Sequence, residues 1–192
     1  MSPARARTSD AEIVAAARGL LEERGLDAVT MAAVALSVGV RPASLYKHVA
    51  DRATLIRAIS TSAAGELGRA LADADPGSEA PVESRLQALA EAYRAFARRG
   101  PRAAALLFAD LEPEMQAPVE AAAQAARTLI DIAATLVGPA RALAAARVMT
   151  AYVHGFTSME AAGAFRLGGG VEEAYRLGLS VLLAGLRAEQ RP

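Results

Sequence analysis

The chain has 192 residues, 21 basic and 21 acidic side chains, a formal net charge of zero and no cysteine. The lack of cysteine excludes disulfide frameworks and thiolate metal sites, and it favours a reducing compartment. No uncharged apolar run reaches the roughly 18 to 20 residues needed to cross a bilayer, and the N-terminus lacks the apolar stretch of a signal peptide. We therefore expect a cytoplasmic protein with no membrane partner.

The two ends of the chain differ slightly in charge. Residues 1–57 hold eight Lys and Arg against six Asp and Glu, and the remainder holds thirteen against fifteen. The slight excess of positive charge in residues 1–57 is compatible with DNA binding by this region, but solvated faces of mixed charge give similar counts. The charge distribution alone therefore identifies no function.

The composition and the spacing of apolar residues predict an all-α protein. Alanine and leucine dominate, and glycine and proline fall mostly between segments of helical periodicity. The first helix is predicted to begin after Ser9, which can form a capping box with Glu12. An apolar stripe from Ile13 to Leu21 follows, and Gly25 supplies a left-handed stop. This helix is expected to pack against its neighbours.

Two short helices are predicted next, separated by a tight turn. Thr30 is a suitable N-cap for the first of them, and Gly39 permits the sharp turn that follows. Pro42 suits the first position of the second helix, whose Leu45 and Val49 face inward. Two such helices braced by an earlier one are typical of a helix-turn-helix, whose second helix can enter the major groove of DNA.

The outward residues of this second helix form the predicted reading face. At about 100° per residue, Ala43, Ser44 and Lys47 point away from the core, flanked by Tyr46 and His48. Lys47 can pair with a phosphate or a guanine edge, and Ser44 can bond to a base or to the backbone. Tyr46 and His48 can donate to phosphates, and Ala43 can touch a thymine methyl. The alternative is that this segment only packs the core of a small helical domain.

Longer helices are predicted for the rest of the chain. Asp51 caps a fourth helix over about residues 52–71, and residues 73–81, rich in Asp, Pro, Gly and Ser, form a flexible loop. Five further helices are expected, at residues 83–99, 101–108, 113–137, 139–163 and 171–187.

A sequence typical of one family of DNA-binding proteins runs from Gly39 to Ile56. It reads Gly-Val-Arg-Pro-Ala-Ser-Leu-Tyr-Lys-His-Val-Ala-Asp-Arg-Ala-Thr-Leu-Ile, and it resembles the DNA-binding domain of the tetracycline-repressor (TetR) family. The resemblance covers residues 9–57. Ten positions of the family's pattern are occupied: Thr30, Ala35, Gly39, Val40, Leu45, Tyr46, His48, Val49, Arg52 and Leu55. Arg41 departs from the family, which often has a serine N-cap there, and Met31 to Ala33 stand where polar contacts are common.

This resemblance implies a sequence-specific transcriptional regulator, most simply a homodimeric repressor released from a palindromic operator by a small hydrophobic ligand. It implies a DNA-binding domain at residues 1–57 and a helical regulatory and dimerisation domain at residues 58–192. The predicted DNA-binding residues are Thr30, Arg41, Pro42, Ala43, Ser44, Tyr46, Lys47, His48 and Arg52.

A weaker resemblance lies near the C-terminus. The segment Tyr152-Val-His-Gly-Phe-Thr-Ser-Met-Glu-Ala-Ala-Gly looks like a regulatory-domain class with a Trp-His-Gly signature, with Val153 in place of the tryptophan. In the family, the last two long helices form the dimer interface and the helices before them enclose a small-molecule pocket. Residues 171–186 are apolar nearly all the way round, so we expect burial on two sides, one of them against a partner subunit. Two recognition helices would then lie about 34 to 36 Å apart.

Aromatic and methionine side chains supply candidates for the pocket. They are Tyr93, Phe96, Leu107, Phe108, Met115, Met149, Tyr152, His154 and Phe156. Such residues at helical spacing usually fill core, and a lone histidine such as His154 is more often a hydrogen-bonded core residue than a ligand contact. Both interpretations stay open.

Other functions find less support in the sequence. An enzyme is disfavoured by the absence of cysteine, of a phosphate-binding loop and of paired metal-ligand spacing, so we predict no catalytic residue, no cofactor and no metal site. A ligand-independent accessory dimer that binds DNA is not excluded. Arg98, Arg99 and Arg102 form a basic cluster that binds an acidic effector or, more simply, complements a helix end. Arg5 and Arg7 either reach DNA as an arm or belong to a plain tail.

Overall fold

The computed structural model describes residues 8–188, which leaves Arg5 and Arg7 outside the described residues. Over this range the regular secondary structure is entirely helical, without a strand, so the all-α prediction is confirmed. The helices are α1 (Asp10–Arg24), α2 (Met31–Ser37), α3 (Pro42–Leu45), α4 (Arg52–Ala74), α5 (Val82–Arg99), α6 (Pro101–Leu106), α7 (Val119–Val137), α8 (Ala142–Ala161) and α9 (Val171–Ala188). A short 3-10 turn, Leu26–Ala28, follows α1.

Two helix starts differ from the sequence prediction. The helix predicted from residue 113 begins only at Val119, because Pro118 lacks a backbone N–H and disfavours the helical conformation of the residue before it. The helix predicted from residue 139 begins at Ala142, after Gly138 with a φ of 80° and a hydrogen-bonded turn. Local proline and glycine chemistry therefore sets both starts.

The chain forms two compact units. Unit 1 consists of Met1–Ala64 and Arg102–Val119, and unit 2 consists of Gly65–Pro101 and Glu120–Pro192. The segment 102–119 thus groups with residues that precede it by at least 38 positions in the chain. No local pattern in that segment indicates this association.

Unit 1 has a small apolar core built on α1. Ile13, Ala17 and Leu21 are buried at four-residue spacing along one face of the helix. Val34 of α2 and Leu45 of α3 are fully buried as well. The predicted amphipathic stripe of the first helix is therefore confirmed. α2 packs on both α1 and α3.

The signals that start and stop the helices of unit 1 behave as predicted. The Glu12 backbone N–H donates to Ser9 Oγ at 3.2 Å, and the Glu12 carboxylate accepts from the Ser9 N–H at 2.8 Å, which completes the capping box. Thr30 Oγ1 accepts a backbone N–H at the start of α2 at 3.1 Å. Gly25 and Gly39 have φ values of 86° and 70°, a region that glycine adopts without strain.

Unit 2 contains the longer helices and the larger core. α5 packs along α8, and α9 packs on α8. Its buried side chains include Leu86, Leu89, Phe96, Leu129, Ile132, Met149, Val153, Tyr175 and Leu179. Within residues 8–188 no single helix has both the length and the apolar character to cross a membrane. α7 and α8 are long and apolar enough only when they are taken together, and the chain bends by 117° between them.

Candidate DNA-binding surface and buried polar cluster

Residues 41–48, here called the reading segment, are presented on the surface of unit 1. α3 itself is one helical turn, and the following residues form hydrogen-bonded turns in which the His48 N–H donates to the Leu45 carbonyl at 2.9 Å. The regular helix is therefore shorter than the sequence suggested. Leu45 is fully buried and Val49 is 6% exposed, so these two side chains anchor the segment to the core of unit 1.

The predicted DNA contacts fall into two groups. The exposed group contains Thr30, Arg41, Pro42, Ala43, Ser44, Tyr46, Lys47 and His48. Tyr46 is 54% exposed, so it does not take part in the core, in contrast to the core-packing alternative. The Thr30 hydroxyl oxygen is already engaged as the cap of α2. These residues remain candidates for contact with DNA.

Arg52 belongs to the second group, because its guanidinium turns toward the protein. Its Nε donates to the carbonyl of Val29 and its Nη2 to the carbonyl of Leu26, both at 2.8 Å. These bonds tie the first turn of α4 to the connection between α1 and α2. We therefore infer that Arg52 supports the helix-turn-helix and does not itself contact DNA.

His48 has a partner that the sequence did not reveal. Its Nδ1 lies 2.7 Å from Oδ1 of Asp10, the first residue of α1. The Asp10 side chain is 79% exposed and that of His48 is 36% exposed. The two residues are 38 positions apart, so no local pattern could have predicted the contact.

Further polar contacts hold the second segment of unit 1. The two oxygens of the Glu22 carboxylate accept the backbone N–H groups of Arg102 and Ala103 at 3.1 and 2.7 Å. The Arg102 guanidinium also donates to the carbonyl of Glu22. Arg57 donates from Nε to the carbonyl of Glu114 at 2.7 Å. Arg102 thus anchors a helix start, while Arg98, another member of the predicted basic cluster, pairs with Glu160 in unit 2.

The predicted pocket residues are divided between the two units. Leu107, Phe108 and Met115 belong to unit 1, and Phe108 is 46% exposed. Unit 2 contains the remaining six: Tyr93, Phe96, Met149, Tyr152, His154 and Phe156. Of these, Tyr93, Phe96 and Met149 are buried core residues, whereas Tyr152, His154 and Phe156 are partly exposed. The partly exposed residues, together with the hydroxyl of Tyr93, remain the candidates for a pocket within unit 2.

Tyr93 and His154 form a polar pair between α5 and α8. The Tyr93 hydroxyl and His154 Nδ1 lie 2.9 Å apart, and the two rings meet edge to face. Burial raises the pKa of Tyr93, which keeps the phenol protonated, and burial lowers the pKa of His154, which favours the neutral ring near pH 7. This pair thus places two hydrogen-bonding groups at a largely buried position of unit 2 without a net charge.

Arg94 is the largest fully buried side chain of the described residues and is 1% exposed. Its guanidinium donates to both oxygens of Glu160 at 3.1 and 3.0 Å, and to Glu172 at 2.6 Å. It also stacks over the Tyr175 ring, 4.2 Å from the ring centroid. One side chain of α5 therefore connects the end of α8 with the start of α9.

The electrostatics of this cluster follow from its partners. Burial alone would lower the pKa of Arg94, but the hydrogen bonds and charges of Glu160 and Glu172 outweigh burial and raise it. The hydrogen bonds from Arg94 in turn lower the pKa of both carboxyls. All three groups are charged at neutral pH. Sequence reasoning missed Arg94, although its spacing of four from Ala90, a buried residue of α5, is a signal that it lies on the inward face.

A close contact fixes α8 against α9. The Tyr152 hydroxyl donates to the Tyr175 carbonyl at 2.6 Å, and the two rings stack with centroids 5.9 Å apart. The Tyr152 ring lies over Gly178, where an added Cβ would come within 2.7 Å of two ring carbons. Only glycine at this position allows the approach.

The outward faces of α8 and α9 remain apolar. On α9, Tyr175, Leu179 and Leu183 are buried, whereas Leu177 and Val181 are 64% and 63% exposed. On α8, the exposed apolar residues include Leu143, Val148 and Met159. We expected the last helix to be buried on two sides. In a single chain only one side of α9 is buried, and the other side remains exposed.

Models of known protein families match both parts of the chain. Residues 86–182, about half of the chain, match the model described as tetracyclin repressor-like, C-terminal domain, and residues 13–59 match bacterial regulatory proteins of the tetR family. The chain belongs to the TetR family. TetR-family proteins are DNA-binding regulators of transcription, so this chain is a regulator rather than an enzyme. A comparison with curated protein sequences finds no significant match.

Solved structures resemble the TetR-family chain over nearly its whole length. A protein of unknown function from Rhodococcus sp. RHA1 shares 27% identity at a TM-score of 0.80, covering 97% of this chain and 100% of that one. TetR-Q116A from Acinetobacter baumannii AYE, solved in complex with minocycline, shares 25% identity at a TM-score of 0.73, covering 96% and 99%. Mycobacterium smegmatis BioQ shares 26% identity at a TM-score of 0.65, covering 95% and 99%.

Proposed function

We propose that this TetR-family chain is a cytoplasmic homodimeric repressor that binds a palindromic operator and is released by a small hydrophobic effector. The observation that carries the proposal is the construction of the reading segment. Leu45 and Val49 are buried, and every other residue from position 41 to 48 is exposed. A rigidly anchored segment with an outward polar face is what groove recognition requires.

The exposed side chains of the reading segment divide by the contact each can make. Lys47 and Arg41 are cations that can pair with phosphates or with guanine edges. Ser44 can bond to a base or to the backbone, and the Tyr46 hydroxyl can donate to a phosphate. Because unit 1 offers few cations here, we expect weak non-specific binding and a greater dependence on base contacts and on dimerisation.

Dimerisation is supported by the apolar outward faces of α8 and α9. Leu177 and Val181 lie one turn apart on α9, on the side away from the buried stripe, and each leaves more than half of its surface exposed. A second copy that covers the same faces would bury them in an isologous interface. Such a dimer presents two reading segments, which is why we expect a palindromic operator.

The proposal of an effector rests on unit 2. Tyr93 and His154 place a hydroxyl and an imidazole at a largely buried position of unit 2, and a few polar groups in the interior are expected of a site for a largely hydrophobic small molecule. The Acinetobacter relative was solved with minocycline bound, which is consistent with a small-molecule ligand for this chain too. An effector that binds one conformation of the dimer better than another would shift the protein away from the DNA-bound state.

Selection of bound sequences from a random duplex pool tests the proposal. We expect an enriched palindrome with half-sites about one helical turn apart. Lys47→Ala should then weaken binding to the enriched duplex by about 1 to 3 kcal/mol. Arg24→Ala, which removes an exposed cation of α1 outside the reading segment, should leave affinity nearly unchanged.

The outcome of the selection separates the parts of the proposal. A single enriched half-site would contradict the dimer, and equal losses in the two variants would contradict the reading segment. Recovery of no enriched sequence would overturn the proposed operator recognition.

A further inference from the structure

We propose that Asp10 is a positioning residue for DNA binding: its carboxylate holds the His48 imidazole so that the ring can donate to a backbone phosphate. The inference rests on the proposed function, in which residues 41–48 meet DNA. According to this inference, an acidic residue strengthens binding to DNA, although DNA is itself a polyanion.

Asp10 and His48 form a short contact. Asp10 Oδ1 lies 2.7 Å from His48 Nδ1, at the short end of the range for a hydrogen bond between nitrogen and oxygen. Asp10 begins α1, and His48 lies in the turn after α3, so the contact ties the reading segment to a different helix. The position of the ring is thus set from outside its own segment.

The pair lies on the surface of unit 1. Both side chains are open to water, at 79% for Asp10 and 36% for His48. Exposed ion pairs generally add little to the free energy of folding, because water and salt screen them. Orientation of the ring is therefore a better account of the contact than stability is.

The two nitrogens of the His48 ring can serve different partners. The hydrogen bond made by one histidine nitrogen determines how the other nitrogen is presented. A ring that carries both protons can donate Nδ1–H to Asp10 and Nε2–H to a phosphate oxygen at the same time. A ring that is already held in place loses less rotamer freedom when it meets DNA than a free one does.

Simple charge repulsion makes the opposite prediction. A carboxylate beside a phosphate-binding segment should weaken DNA binding, and its removal should strengthen binding. The sign of the effect of Asp10→Asn therefore separates a positioning role from repulsion.

The experiment measures fluorescence anisotropy of a labelled duplex of about 30 base pairs that carries the sequence enriched in the selection described above. An arbitrary sequence is expected to bind only weakly because unit 1 offers few cations, so the enriched sequence keeps the affinities measurable. The full chain is compared with Asp10→Asn, Asp10→Glu, His48→Asn and the double variant Asp10→Asn/His48→Asn. Asp27→Asn removes an exposed carboxylate elsewhere in unit 1 and is the matched control.

We expect Asp10→Asn to lower affinity about three- to tenfold, in keeping with the loss of one charge-assisted contact. His48→Asn should cause a similar loss, and Asp10→Glu should restore most of the wild-type affinity. In the His48→Asn background, Asp10→Asn should raise affinity or leave it unchanged, because only repulsion remains. Asp27→Asn should have no effect or a slight strengthening effect.

Three outcomes would overturn the inference. Binding by Asp10→Asn that equals or exceeds the wild-type affinity would show repulsion alone. An equal loss in the presence and absence of His48 would show that Asp10 acts through the start of α1 instead. Wild-type protein that binds no duplex would remove the proposed function together with the inference, whereas wild-type binding with an unchanged Asp10→Asn removes the inference alone.

Discussion

Arg52 of unit 1 and Arg94 of unit 2 both turn a guanidinium toward the interior, but the groups that accept their hydrogen bonds differ. Arg52 donates to two backbone carbonyls, those of Leu26 and Val29. Arg94 donates to two carboxylates, those of Glu160 and Glu172. The first site is half-buried, and the second arginine is fully buried.

The difference follows from the cost of burying charge. A carbonyl satisfies the N–H groups of an arginine without neutralising its charge, which is sufficient where water still reaches the side chain. A fully buried guanidinium needs opposite charge and a complete set of hydrogen bonds. Unit 1 can therefore use Arg52 to hold a loop, whereas unit 2 has to bring residues from three helices together around Arg94.

Replacement of Arg94 should have the largest effect. Arg94→Ala leaves Glu160 and Glu172 without their main partner and creates a void beside Tyr175. We expect the free energy of unfolding to fall by about 3 to 5 kcal/mol, as for the loss of one partner of a buried ion pair. Urea denaturation of the purified protein measures it.

A control and a pH profile sharpen this prediction. Arg176→Ala removes an exposed arginine that pairs with Glu172 along α9, and it should cost less than about 0.5 kcal/mol. Because Arg94 lowers the pKa of both carboxyls, the stability they contribute is present above the ordinary pKa of glutamate and is lost as the pH falls through their lowered values. In Arg94→Ala, this loss of stability at low pH should be absent. Equal effects of the two variants would mean that burial of Arg94 is unimportant.

The contact between α8 and α9 gives the next prediction. A Cβ at Gly178 would meet the Tyr152 ring within 2.7 Å, so the ring has to move and the bond from its hydroxyl to the Tyr175 carbonyl is lost. We expect Gly178→Ala to destabilise the protein by about 2 to 3 kcal/mol in thermal or urea unfolding, despite the higher helix propensity of alanine.

Gly65 in α4 is the matched control, because a Cβ there meets nothing within 4 Å. Gly65→Ala should therefore stabilise the protein by about 0.5 to 1 kcal/mol. If both substitutions stabilise the protein, the tight packing of Tyr152 on α9 does not hold in solution.

The sequence predicted the parts of this molecule that depend on neighbouring residues. The capping box at Ser9, the cap at Thr30 and the turn at Gly39 each involve residues within four positions, so their patterns are visible in the chain. The buried spacing of Leu45 and Val49 likewise follows from helical periodicity. The helix-turn-helix could therefore be placed from the sequence alone.

Contacts between distant residues were beyond such patterns. Arg52 reaches residues 23 and 26 positions away, and its turn toward the protein removed it from the predicted DNA contacts. Arg94 meets carboxylates 66 and 78 positions away. Helical periodicity can flag a charged residue on an inward face, but which residues neutralise it depends on how the helices pack. The same limit applies to the pocket candidates, which looked alike in sequence and fall into different units.

Arg52→Ala should have the smallest effect of the three substitutions. It leaves the carbonyls of Leu26 and Val29 without their donor, but the site is half-buried, so water can replace part of the lost bonding. We expect a loss of about 1 to 2 kcal/mol in urea unfolding, against almost none for Arg69→Ala, an exposed arginine farther along α4. DNA affinity measured well below the unfolding transition should stay close to that of the wild type. A large loss of affinity with no loss of stability would return Arg52 to the DNA contacts. Arg52 would then be oriented for contact with DNA and not for support of the fold. The difference between Arg52 and Arg94 would in that case reflect their functions and not their degree of burial.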